Sequence, residues 1–140
     1  MSIEVLLSKL DKVKSTGKGR WIACCPAHND LVPSLAITIK EGKTLVHCFS
    51  GCSVYDVLLS VNMQINDLFP DSSPRSHLKS SRMPFSYYDV LRCINFEAQL
   101  VSLAACNLAN GKALSVADKK RLQLASCRIR HAMEVAGCNH

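Results

Sequence analysis

Two short-spaced pairs of metal-type side chains constrain this 140-residue chain more than any other feature. Cys25 and His28 are separated by two residues, nineteen more intervene, and Cys48 and Cys52 are separated by three. Each pair falls on a turn, and a turn brings its two side chains to within about 4 Å of each other. Three explanations compete: disulfide staples, a metal centre, or small buried core residues. Two spaced pairs that include a histidine, placed on turns, favour the metal. Thiol and imidazole donors suit the four tetrahedral corners of one Zn²⁺ ion. Four protein ligands leave no open position, so the expected ion is structural and supplies much of the local folding free energy. Pro26 stiffens the first turn and Gly51 relieves the second. Cys24 and His47 sit beside proposed ligands and could compete, but strand alternation points each to the opposite side from its neighbour, so both are read as non-ligands.

The hairpin that folds the second pair onto the first is visible between them. "SLAITI" at 34–39 alternates Leu35, Ile37 and Ile39 with smaller or polar neighbours, "KEGK" makes a glycine turn, and "TLVHCF" follows. This pattern predicts two paired strands, with a shorter strand over 20–25. Ile3, Leu6, Leu7 and Leu10 stand at helical spacing, so a helix is expected over 3–12, ended by a turn at "STGKG", 15–19. Ser53 with Asp56 marks the start of another helix at 53–61.

Residues 69–84, "FPDSSPRSHLKSSRMP", hold three prolines, five serines and almost no aliphatic side chains. The reading is a linker: the part that follows could cover the apolar faces of the N-terminal helix and of the helix at 53–61, but the composition leans towards a flexible tether. Beyond it, Ser86 with Asp89 and Ser115 with Asp118 repeat the capping pattern, and Asn110-Gly111 provides a helix stop. Two antiparallel helices are expected, with Leu91, Ile94, Ala98, Val101, Ala105 and Leu108 facing Leu122, Ala125, Ile129, Met133 and Ala136. Cys93, Cys106, Cys127 and Cys138 are read as small buried thiols in that interface. Cys127 and His131 share a helix face at i,i+4 but lack two further ligands for a second metal site. The fold class is therefore α+β: a zinc-binding unit at 1–70, a basic linker at 71–84 and a helical hairpin at 85–140.

No apolar run reaches the roughly 18 residues that cross a bilayer. The N-terminus is amphipathic rather than signal-like. A soluble, cytoplasmic protein with reduced thiols follows as the expectation. The net charge of +6 is uneven. Residues 1–70 hold seven basic against six acidic side chains, residues 71–140 ten against five. Such a balance suits a polyanionic partner or plain solubility. No paired carboxylates for divalent metal, no glycine-rich phosphate loop and no Ser/His/Asp arrangement can be argued, so the chain alone is not expected to be an enzyme.

The motif "CPAHNDLVPSLAI…VHCFSGCSVYDVLL" resembles the CHC2-type zinc-binding domain at the N-terminus of bacterial and phage DNA primases. The likeness covers roughly residues 3–70 and includes Cys25-Pro26, His28, Asp30, Pro33-Ser34, His47-Cys48-Phe49 and "INDLF" at 65–69. Cellular primases usually have two residues between the last two cysteines, whereas three stand here, which looks like the phage- and plasmid-associated branch. The resemblance implies a zinc ribbon: an antiparallel sheet with the ion at one end and flanking helices. It also implies recognition of single-stranded DNA template, without the Toprim-type catalytic domain that follows in primases. The expected contacts are Lys14, Lys18, Arg20, Lys40 and Lys43, with Trp21 able to stack a base or to pack in the core. Linker residues Arg75, Lys79 and Arg82 extend the basic set, as do Lys119, Lys120, Arg121, Arg128 and Arg130. The expected role is accessory to replication of a phage, plasmid or integrated element. A protein-interaction adaptor or inhibitor acting on a replication or host protein is the alternative, and a subunit needing a separate catalytic chain is the third reading.

Overall fold

A computed structural model describes residues 3–69 and 84–138. The basic linker side chains Arg75, Lys79 and Arg82 lie outside the described residues, as does all of the expected 71–84 linker except Pro84. The chain is α+β. It begins with helix α1 (Ile3–Ser8), then strands β1 (Lys14–Gly17), β2 (Arg20–Ala23), β3 (Leu35–Lys40) and β4 (Lys43–Cys48). Helices α2 (Val54–Ser60), α3 (Ile65–Leu68), α4 (Tyr87–Ala109) and α5 (Val116–Val135) follow.

The four strands form one antiparallel sheet in the order β1-β2-β3-β4. Lys40 pairs with Lys43 across a two-residue turn in which Glu41 and Gly42 have φ of 52° and 74°. Positive φ at both central residues matches the right-handed strand twist, so "KEGK" closes tightly as expected. Both hairpin turns then lie at one end of the sheet, with the β2–β3 loop at the other. The amide of Ile39 donates to the Gly19 carbonyl at 2.8 Å, which ties the two turns together.

The N-terminal expectation needs two corrections. The first helix stops at Ser8 rather than residue 12, where Lys12 has a left-handed φ of 51°. Three of the five residues of "STGKG" are strand: Ser15 pairs with Trp21 and Gly17 with Arg20, and the tight bend falls later, with Gly19 at φ 70°. This edge strand has no apolar alternation to announce it, because it is mostly solvent-facing.

Period-two alternation splits the sheet into two faces. Ala23, Leu35, Ile37, Val46, Cys25 and Cys48 point into a core closed by Leu6, Leu10, Val57, Leu58, Met63 and Leu68 from the flanking helices. Trp21 packs against this core as well. The opposite face presents Ile22, Ala36 and, just past β4, Phe49, and it buries them beneath Phe85, Val90, Cys93, Ile94, Ala132 and Ala136 of the helical pair. The helical pair is thus packed on the sheet rather than hung on a free tether. Burying one large apolar side chain contributes roughly 1.5–3 kcal/mol, so Ile22, Phe49, Phe85 and Ile94 together outweigh any preference read from linker composition.

The helical pair has the expected ends. Ser86 and Ser115 accept from the amides of Asp89 and Asp118, and Gly111 closes α4 at φ 77°. Its expected seam is displaced. Leu91, Leu108 and Met133 are exposed, and Ala98 and Ala105 with them. The buried positions of α4 are Asp89, Val90, Cys93, Ile94 and Glu97. Of the four later cysteines only Cys93 is buried; Cys106, Cys127 and Cys138 are exposed. Among the described residues, no helix is long and apolar enough to cross a membrane.

Candidate metal centre

The sheet delivers both halves of the cluster to one end. Cys25 follows β2 by two residues, and Cys48 is the last residue of β4. Leu35 pairs with Ala23 on one side and Cys48 on the other, so the two cysteines approach across β3. The chain reverses after β4, with the Gly51 amide donating to the Cys48 carbonyl at 3.2 Å. Gly51 has φ of 99° and open space where a Cβ would stand. Glycine is needed here for its backbone conformation, not for close packing around an ion. Cys52 then sits just before Ser53, whose hydroxyl accepts from the Asp56 amide and starts α2.

The ligand atoms of Cys25, His28, Cys48 and Cys52 all lie within 4.8 Å of one another. They are close enough to bind one metal ion. His28 Nδ1 is 3.2 Å from Cys52 Sγ and 3.9 Å from Cys48 Sγ. Tetrahedral bonds of about 2.3 Å to sulfur and 2.0 Å to nitrogen would set those atoms about 3.5 Å apart, and the two distances bracket that value. Cys25 and Cys48 are buried, while His28 and Cys52 are partly open to solvent. The Cys25 thiol hydrogen-bonds to Cys48. That bond raises the Cys25 pKa, with burial adding to it, and lowers that of Cys48. Burial, followed by the charge of Cys48, raises Cys52. A metal would displace these protons.

The neighbours that could have competed point elsewhere. Cys24 is outside the four-residue group, its amide donating to the Asp11 carbonyl at 2.9 Å. Its thiol is held protonated by burial first and by Asp30 second. His47 lies on the other face, its ring 4.7 Å from Phe49, 5.7 Å from Phe85 and 5.5 Å from His131. Desolvation lowers its pKa, with His131 adding to the effect. Among the described residues, Cys127 and His131 belong to no second metal-type cluster.

Asp30, which the motif singled out without a role, is bonded into the centre. Its Oδ2 accepts from the Cys25 amide at 2.8 Å and from the Ser34 hydroxyl at 2.7 Å, and its Oδ1 lies 3.4 Å from His28 Nε2. Leu31, Val32 and Phe96, which sequence reasoning did not single out, line a cleft of about 240 Å³. Its walls are His28, Leu31 and Val32 from the metal loop and Phe96, Arg121 and Arg128 from the helices. Glu97 lies between the two arginines, bonded to both.

The basic candidates do not form one patch. Lys18 and Arg20 border the β1–β2 turn, and Lys40 and Lys43 flank the β3–β4 turn, at the end of the sheet opposite the cluster. Lys14 begins β1 opposite Ile22, towards the cluster end. Of the α5 cations, Arg121 and Arg128 are committed to Glu97.

No family model, no curated protein and no solved structure matches this chain. The likeness to primase zinc domains therefore rests on the motif residues.

Proposed function

We propose that this protein is a zinc-ribbon module that binds single-stranded DNA and acts as an accessory to replication of a phage- or plasmid-type element. In this reading Zn²⁺ is held by Cys25, His28, Cys48 and Cys52. Four protein donors leave no position for water or substrate, so the ion organises the β2–β3 loop and the end of β4 and takes no part in a reaction. The observation that carries the reading is the division of the sheet. One end holds the metal-type cluster, and the other gathers Lys18, Arg20, Lys40 and Lys43 on two adjoining turns. Cations on turns held by a rigid sheet suit the repeating phosphates of a single strand, whose affinity is dominated by charge neutralisation. Trp21 packs on the metal-side core, which supports a structural rather than a stacking role for it.

The test is a titration of the zinc-loaded protein with fluorescent single- and double-stranded oligonucleotides at several salt concentrations. The reading expects tighter binding to single strands and a log–log salt dependence of negative slope. Binding that is absent at low salt would remove it.

One observation favours the second reading, a protein-interaction adaptor. On α4 the exposed residues Leu91, Phe96, Leu103 and Leu108 lie on a helix whose solvent-facing residues after Phe96 carry no charge. A pull-down that yields a stoichiometric protein partner, together with no DNA binding, would move the assignment there.

A further inference from the structure

The metal-type cluster has a second layer that no ligand motif includes. Asp30 is nearly enclosed, with its side chain 9% exposed. Its two oxygens reach three groups that belong to, or hold, the donors. Oδ1 faces His28 Nε2 at 3.4 Å. Oδ2 accepts from the backbone amide of Cys25 at 2.8 Å and from Ser34 Oγ at 2.7 Å. Ser34 in turn stands 3.9 Å from Cys48 Sγ, and its carbonyl accepts from the Phe49 amide at 2.8 Å, next to Cys48. A single carboxylate thus touches both members of the first pair and, through one serine, the first member of the second.

We infer that Asp30 is the positioning residue of this centre: it holds His28 in the tautomer that presents Nδ1 to the metal and locks the Cys25 turn and Ser34 around the same point. The inference rests on the metal reading above. A neutral imidazole carries one proton, which can sit on either nitrogen. A carboxylate beside Nε2 favours the N–H on that nitrogen and leaves the lone pair on Nδ1. Nδ1 is the nitrogen aimed at the sulfurs, 3.2 Å from Cys52 Sγ. The same contact fixes the ring's rotation. Placing a nearly buried carboxylate beside three thiol ligands also demands compensation. The Cys25 amide and the Ser34 hydroxyl donate to it, His28 Nε2 faces it at 3.4 Å, and a divalent cation would supply charge.

The test uses the full chain loaded with Zn²⁺, and Asp30→Asn and Asp30→Ala variants. Competition with a chromophoric chelator gives the zinc affinity, and long-range ¹H–¹⁵N spectra report which His28 nitrogen is metal-bound and which carries the proton. In the native chain the expected pattern is metal on Nδ1 and hydrogen on Nε2. Both variants are expected to bind zinc roughly 10- to 100-fold more weakly. His28→Cys removes the ring that Asp30 orients, so adding Asp30→Asn to it should cost less than adding Asp30→Asn to the native chain. Unchanged affinity in Asp30→Asn, metal on Nε2 of the native protein, or an undiminished penalty in the His28→Cys background would each overturn the role. If Asp30→Ala fails to fold, the native spectrum and the Asp30→Asn affinity still decide. A native chain that takes up no zinc sinks the metal reading itself, a result distinct from any of these.

Discussion

Glu97 of α4 and Arg121 of α5 are joined by two parallel hydrogen bonds, Nη1 to Oε2 at 2.8 Å and Nη2 to Oε1 at 3.0 Å. Arg128, two turns further along the same face of α5, adds a third, at 2.7 Å to Oε1. Glu97 is 6% exposed and is the last buried residue of α4, at the point where the helical pair leaves the sheet. A fork-to-fork pair is geometrically strict, so it sets the register of the two helices where apolar packing on the sheet runs out.

Removing that carboxylate should loosen the helical pair. Glu97→Ala leaves two guanidinium groups without an acceptor, and both are partly open to water, which softens the penalty. The expected loss is about 1–3 kcal/mol in urea unfolding of the metal-loaded protein, smaller for Glu97→Gln. Burial alone would raise the Glu97 pKa, but the bonds from Arg121 and Arg128 outweigh it and hold it below the ordinary value of 4.5. A folded-state pKa that is depressed contributes stability above the unfolded value and loses it as pH falls through the folded one. The gap between native and Glu97→Gln proteins should therefore be full at neutral pH and shrink below about pH 4.5.

Metal removal should be felt at one end of the sheet first. Native mass spectrometry is expected to find one zinc per chain, and none in Cys48→Ser. Cys25 and Cys52 both have raised pKa values and must lose protons to bind, so affinity should fall as pH is lowered. Hydrogen exchange after chelation should rise earliest in 25–34 and 48–53, because those loops carry the four donors. Retention of full protection there without metal would contradict a structural ion.

The phase of α4 can be checked with two alanine substitutions. Ile94 is 7% exposed within the second core, and Leu91, three residues earlier, is 65% exposed. Ile94→Ala should cost about 2–5 kcal/mol. Leu91→Ala should fall within about 0.5 kcal/mol of the native protein. Equal costs would put the helix in the phase that its apolar residues suggest rather than the one described here.

That contrast shows where legibility ended. The cluster could be read because its chemistry is local: two pairs at short spacing, each on a turn. The caps at Ser53, Ser86 and Ser115 could be read for the same reason, each being satisfied within three residues. The seam of α4 could not. Its apolar residues are spread around the helix, and a charged residue, Glu97, occupies the buried stripe with partners 24 and 31 positions away. Nothing in the local pattern marks a glutamate as inside. Strand β1 was hidden because an exposed edge strand needs no apolar face. The docking of the helices on the sheet was hidden because linker composition says nothing about what its two ends bury.

The proposed single-strand contact makes a quantitative demand on the basic end of the sheet. Lys18, Lys40 and Lys43 sit on two turns joined by the bond from Ile39 to Gly19. Each cation that neutralises a phosphate adds about 0.7 to the magnitude of the log–log salt slope for single strands. The triple change to alanine should then lower that slope by about 2 and weaken binding uniformly across sequences. Lys14→Ala is the control, since Lys14 starts β1 towards the other end. These side chains are at the end of the sheet opposite the cluster, so zinc content should stay unchanged. A triple variant that binds with the native salt slope would move the contact off this end of the sheet. Loss of binding in Lys14→Ala alone would place it beside the metal loop instead.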